Sequence, residues 1–190
     1  MGLWLDCDNF GPMVSHNTSS RNQTGGGRGS GDGIHLGLSC YGTVSDNISR
    51  DNAGFGISLH NSHNMLIGGG GHGNTLANNR RGGLYLFSAN RPGTIPYCKV
   101  RDDGSNVQVR DNKITMAPGT SVTGVVNRGG HVNGDSFVSN AYFLPGSACT
   151  ALRWTWYDGS RNVSVPFRGS GTTWQGTFNQ DTNGSCAGRG

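Results

Sequence analysis

Residues 35 to 72 hold four histidines: His35, His60, His63 and His72. An imidazole near neutral pH can take or give a proton, so each is a candidate general base or acid. His60 closes the stretch Gly-Ile-Ser-Leu-His (56–60), with Ser58 two positions before it. On an extended strand, Ser58 and His60 point to one side while Ile57 and Leu59 point to the other. His72 stands between Gly71 and Gly73, next to a run of glycines.

The same short pattern recurs. Gly2, Gly33, Gly56 and Gly83 each open a Gly-apolar-x-apolar stretch, and Gly124 opens a weaker copy. Aligned on these glycines, the apolar set is Leu3, Leu5, Ile34, Leu36, Ile57, Leu59, Leu84 and Leu86. The alternate set reads Trp4, His35, Ser58 and Tyr85 in one row, and Asp6, Gly37, His60 and Phe87 beside it. A solvated strand face normally carries Thr, Ser, Asn and Lys. Rings, imidazoles and a carboxylate in register instead suggest a saccharide groove, in which flat rings take the sugar faces and polar groups take the hydroxyls; alternatively, a loop such as residues 23–32 or 88–98 covers these rings.

A second pattern follows the first. Val14 opens VSHNTSSRN, Val44 opens VSDNISRDN, and NTLANN from Asn74 matches its tail. The shortest spacing, Gly33 to Gly56, sets a period of about 23 residues, within the range of stacked repeats. Alternation at period two and turns rich in Asn, Gly and Ser indicate short strands rather than helices. Asn17, Asn47, Asn74 and Asn112 fall at equivalent places, and Asn22, Asn52 and Asn79 form a second set. Stacked at the strand spacing, their amides would satisfy one another along the stack; alternatively, Asn is there because it tolerates a left-handed turn.

Composition agrees. Charged residues make up 14% of the 190 residues and hydrophobic ones 33%, with 34 glycines. All eleven acidic residues are Asp, and Lys99 and Lys113 are the only lysines. The near absence of Glu and Lys removes two good helix formers. The net charge of +4 is mild, and no Lys/Arg block marks a nucleic-acid tail. No apolar run approaches the roughly 20 residues of a membrane span. Five cysteines without a CxxC pair carry no metal signature. Cys149 and Cys186 flank the last segment and are candidates for a disulfide or for buried thiols.

The stretches GLWLDCDNFGPMVSHNTSSRN, GIHL, VSDNISRDN and GISLHNSHN resemble right-handed parallel β-helix repeat proteins of bacteria, the pectate-lyase-like superfamily. The resemblance covers roughly residues 1 to 145. The ending TTWQGTFNQDTNGSC resembles the close of such domains. It implies an all-β solenoid of about five coils over 1–145, with a C-terminal β cap over 146–190 rich in tryptophan. It also implies a secreted or cell-surface protein that works as a monomer on a polysaccharide, with no nucleic-acid or membrane partner. A full repeat begins at Gly2 without a shielding cap, so the chain is expected to be a C-terminal portion of a longer protein.

The superfamily spans lyases, glycosidases, epimerases, phage spikes and adhesins, so the activity must come from the residues. Polygalacturonase-type glycosidases carry a Gly-His-Gly, but there it follows Asp-Asp, whereas Gly71-His72-Gly73 precedes Asp102-Asp103 here. Their Asn-Thr-Asp and Arg-Ile-Lys motifs are missing, so His72 is expected to decorate a loop. A glycosidase needs two carboxylates across the bond, and only Asp6 is placed on the face. The Asp-Pro-x-Asp of mannuronan epimerases is absent from the sequence. β-Elimination on an acidic polysaccharide fits better. His60, His35 and Tyr85 are candidate bases or acids, Arg81 is a candidate catalytic carboxylate clamp, and Arg91 is a further candidate for binding the carboxylate. Trp4, Asp6, Ser58 and Phe87 would line the groove. Asp6 and Asp8 could hold Ca²⁺ if more oxygen ligands joined them. A zinc site from His35, His60 and His63 meets an objection, because His60 and His63 point to opposite sides of a strand. A non-catalytic β-helix that binds carbohydrate or attaches to a surface is the alternative.

Overall fold

The computed structural model describes residues 1–25, 31–89, 93–101, 104–119, 125–128, 134–146 and 148–188. Among these residues every regular element is a β-strand, and none is a helix able to cross a membrane. Three sheets carry the fold. The first contains Leu3–Leu5, Ile34–Gly37, Phe55–His60, Gly82–Phe87, Val125–Arg128, Trp154–Tyr157 and Asn162–Val165. The second contains Met13–Ser15, Thr43–Ser45, Leu66–Gly68, Gln108–Arg110 and Ser136–Val138. The third contains Thr18–Ser20, Ile48–Arg50, Thr75–Asn79, Lys113–Met116, Ala141–Leu144 and Ser185–Gly188.

Pairing within these sheets is parallel, except that Asn162–Val165 runs antiparallel to Trp154–Tyr157. From Leu3 to Leu144 the chain visits the first, second and third sheets in that order and then returns to the first. The register follows the glycine alignment. Leu3 pairs Ile34, Ile34 pairs Ile57, and Ile57 pairs Leu84. Ile34, Leu36, Ile57, Leu59, Leu84 and Leu86 are buried in one cluster with Val14, Val44 and Ile67 of the second sheet and Leu76 and Ile114 of the third. The apolar side of all three sheets therefore faces one shared core, whose burial is the main favourable term.

Two asparagine ladders run along the turns. Asn17 Nδ2 donates to Asn47 Oδ1 at 3.1 Å, Asn47 to Asn74 at 2.9 Å, and Asn74 to Asn112 at 2.9 Å. The ladder continues to Asn140 at 2.9 Å. The second ladder joins Asn22, Asn52 and Asn79 at 2.7 and 2.8 Å. In each contact the backbone amide of the donor residue shares the same acceptor oxygen. At seven of the eight ladder positions the residue before the asparagine takes the left-handed conformation; Gly73, before Asn74, does not. His16, Asp46, Asp111 and Ser139 have φ of 59, 55, 60 and 59°, and Arg21, Asp51 and Asn78 have 58, 57 and 55°. The ladder asparagines are thus used for their amides, which donate and accept at once, and not for tolerance of positive φ.

The last segment extends the sheets already present. Trp154–Tyr157 joins the first sheet and Ser185–Gly188 the third. Trp154 packs edge to face against Tyr142, Trp156 and Trp174 do so against Phe137, and Phe167 lies tilted against Tyr142 and Trp154. A Cys149–Cys186 disulfide ties the start of this segment to its last strand.

Candidate functional site

The outer side of the first sheet carries the two rows expected from the glycine alignment. Trp4 pairs His35, His35 pairs Ser58, and Ser58 pairs Tyr85, while Gly37, His60 and Phe87 share the adjacent row. Their rings meet. Trp4 and His35 lie 6.2 Å apart, His35 and His60 4.7 Å, His60 and Tyr85 5.4 Å, and His60 and Phe87 5.2 Å between centroids. Phe55 extends the row beyond Tyr85, stacked on it at 4.7 Å and 9°. Phe55 stays out of the shared core although it is buried. The Arg81 guanidinium lies 4.9 Å above the Phe55 ring, a cation–π contact.

Beneath the row runs a buried polar chain. Asp32 and Ser58 are almost fully enclosed, at 1% and 0% exposure, and His35 keeps 5%. Asp32 Oδ1 accepts from the Phe55 backbone N–H at 2.8 Å, and its Oδ2 accepts from the Ser58 hydroxyl at 2.6 Å. The same Ser58 oxygen lies 2.8 Å from His35 Nδ1. Burial pulls the His35 pKa below the ordinary 6.5, against the opposing pull of Asp32 and Asp6, while the chain's amino terminus adds to the lowering.

A groove of about 230 Å³ opens beside His35. Asp6, Cys7, His35, Gly37, Leu38, His60, Asn61 and Phe87 line it. A second hollow of about 160 Å³ shares Cys7 and Leu38 with it and continues to Asp8, Thr94, Ile95 and Pro96. The Cys40–Cys98 disulfide backs this wall, packing with Ile95 against Leu38. Cys7 is the free thiol, and it is exposed.

The structure brings Asp6, His35, His60 and Phe87 together around the groove, with Trp4 against His35. Tyr85 is half-buried in the ring row. Ser58 is enclosed, so any influence on a ligand passes through His35. Arg81 sits at the end of the row away from the groove. Arg91, like Asp102 and Asp103, lies outside the described residues.

His63 is taken up structurally: its Nε2 accepts from the Gly104 N–H at 3.0 Å, and its Nδ1 is 3.1 Å from Ser105 Oγ. His72 is exposed beside Asp46, 3.2 Å from its Oδ2, in the loop that follows the Leu66–Gly68 strand. Asp6 Oδ1 accepts from the neighbouring Cys7 N–H, and Asp8 Oδ1 accepts from the Tyr97 N–H. Among the described residues no three His, Cys or Asp side chains gather as a metal ion would require. Neither Asp6 and Asp8 nor the histidines make up such a set from side chains alone.

Asp32, Phe55 and Asn61 are site residues that the sequence reading missed. Asp32 follows a glycine-rich insertion and looks like loop, although it stands in register one position before Gly33, as Phe55 stands before Gly56. Compared with protein-family models, with curated proteins and with solved structures, the chain shows no match in any of the three.

Proposed function

We propose that the three parallel sheets are the walls of a right-handed parallel β-helix of about five coils, residues 1–145, closed by a β cap, residues 146–190. Three observations support this reading. The chain visits the sheets in a fixed order, the ladders run from coil to coil, and all three sheets share one core. Parallel crossovers are overwhelmingly right-handed, which gives the hand. The outer face of the first sheet engages an acidic polysaccharide, outside the cell or at its surface. Two disulfides in one chain fit an oxidising compartment.

The observation that carries the function is the continuous ring row, with a guanidinium at one end and the Asp6–His35 groove at the other. The exposed Trp4 ring and the half-buried Tyr85 and Phe87 rings offer surfaces for the apolar faces of successive sugars. Arg81 offers a planar cation for a uronate carboxylate. Among enzymatic readings, β-elimination is favoured by the closeness of His60 to both His35 and Tyr85, two further groups able to move a proton.

The test is a panel of uronate polysaccharides, with and without added Ca²⁺. Binding is followed by calorimetry, and elimination by the absorbance of the unsaturated product. Binding that weakens at least fivefold in Arg81→Ala supports the reading. Product that disappears in a folded His60→Ala adds catalysis to it. Binding without product leaves a non-catalytic carbohydrate-binding β-helix. No binding across the panel ends the polysaccharide reading.

A further inference from the structure

The groove brings two acceptors to one spot. A Cβ placed on Gly37 would overlap Asp6 Oδ1 and stand 3.5 Å from His35 Nε2. The carboxylate and the imidazole nitrogen therefore converge over this glycine, in the space its missing side chain leaves open. What Nε2 can do there depends on the buried chain behind it. Asp32 Oδ2 accepts the single proton of the Ser58 hydroxyl. Ser58 then has only lone pairs to turn toward His35 Nδ1, 2.8 Å away. For that contact to be a hydrogen bond, Nδ1 must carry the ring proton, which leaves Nε2 as a bare acceptor.

We infer that Asp6 and His35 Nε2 form a subsite that accepts two hydroxyl protons from one sugar ring, a vicinal diol, with Asp32 and Ser58 as positioning residues that fix the His35 tautomer. The inference rests on the reading of the groove as a polysaccharide site, and it gives that site a polarity. A uronate carboxylate laid against Asp6 would meet like charge, so the hydroxyl edge of the sugar belongs at Asp6 and His35. The carboxylate belongs toward Arg81. The groups that face His35 are Asp32, Asp6, His60 and the chain's amino terminus. Burial outweighs the two carboxylates and favours the neutral ring, which the acceptor role requires.

Histidine ring ¹⁵N spectra of the full chain at mildly alkaline pH test this, with His35 assigned through His35→Gln. The probes are trigalacturonate and its neutral counterpart, galactotriose. The expected spectrum is a ring protonated on Nδ1, whose Nε2 signal shifts with either sugar. Ser58→Ala, which removes the oxygen that accepts from Nδ1, is expected to give mixed tautomers. Gly37→Ala is expected to keep the tautomer but bind both sugars about tenfold more weakly, roughly one lost charge-assisted hydrogen bond. It should fold, because Gly37 is outside the positive-φ region and the crowding falls on the end of an exposed Asp side chain.

A ring protonated on Nε2 overturns the inference whatever binds. If Trp4 fluorescence responds to the sugars while the His35 signals stay still, the subsite is wrong and the polysaccharide reading stands. If the tautomer is as expected but neither Trp4 nor His35 responds to either sugar, the polysaccharide reading fails and the subsite falls with it.

Discussion

Asn140 donates both its backbone and side-chain amides to one oxygen of Asp181, at 3.0 and 2.9 Å. Every earlier rung of the ladder is an asparagine, and from Asn47 to Asn140 each accepts from the rung before it and donates to the rung after it. The last rung has nothing further to donate to. The other Asp181 oxygen accepts from the Tyr142 hydroxyl at 2.5 Å and from Trp174 Nε1 at 3.4 Å. Burial, with the Asp181 charge second, holds Tyr142 well above its ordinary 10.0, so its hydroxyl keeps the proton it donates. A ladder of one polarity thus ends on a residue that only accepts.

Exchanging the two residue types should therefore hurt in both directions. Asp181→Asn turns an NH₂ toward two donors and is expected to cost about 2 kcal/mol. Asn74→Asp turns a carboxylate toward the Val44 carbonyl and Asn112 Oδ1, two acceptors in a buried site, and is expected to cost more. Thermal unfolding checks this. The expected drops are roughly 4–8 °C for Asp181→Asn and a larger one for Asn74→Asp.

His35 gives a pH dependence of definite sign. Its pKa in the fold is lowered, so the unfolded chain binds the proton more readily. Its contribution is complete above about pH 6.5 and is lost as the pH falls from there through the lowered folded value. Urea midpoints measured from about pH 7.5 downward should fall more steeply for the native chain than for His35→Gln. Parallel profiles would show that His35 does not titrate differently on folding.

Thiol titration under denaturing conditions should find one reactive group per chain before reduction, Cys7, because the other four cysteines are paired. Cys149→Ala with Cys186→Ala opens a bridge spanning 37 residues and is expected to destabilise by about 3–4 kcal/mol in the loop-closure picture. Cys40–Cys98 closes a longer loop of 58 residues, so its loss is expected to destabilise by about 4 kcal/mol in the same picture, and also to loosen the wall at Leu38 and Ile95 and weaken polysaccharide binding.

The repeat made much of this legible from the sequence. Where glycines, alternating leucines and ladder asparagines recur, one alignment gives strand, facing and register together, and the pairing of Trp4, His35, Ser58 and Tyr85 followed from it. Asn140 was within reach, since Val138-Ser139-Asn140 echoes Val44-Ser45-Asp46-Asn47 with one residue fewer. Asp181 was not, because the segment around it does not repeat and only the chemistry of the last rung calls for an acid. Facing did not predict exposure either. His35 and Ser58 point away from the shared core, yet the buried Asp32 draws them into a second polar interior. The Cys40–Cys98 bridge was hidden for a similar reason, as it joins a repeat strand to a loop with no counterpart in other repeats.

Trp4 reports directly on what occupies this face. It is 61% exposed, whereas Trp154 and Trp174 are fully enclosed and Trp156 is 8% exposed, so solvent-quenchable emission comes from Trp4. Titration with oligogalacturonate, followed by iodide quenching, with Trp4→Phe as the blank, reads occupation of the groove. A saturable blue shift and protection from iodide are expected, both absent in Trp4→Phe and weakened in Arg81→Ala. Unchanged emission and quenching at saturating uronate oligosaccharide would contradict a polysaccharide site on this face.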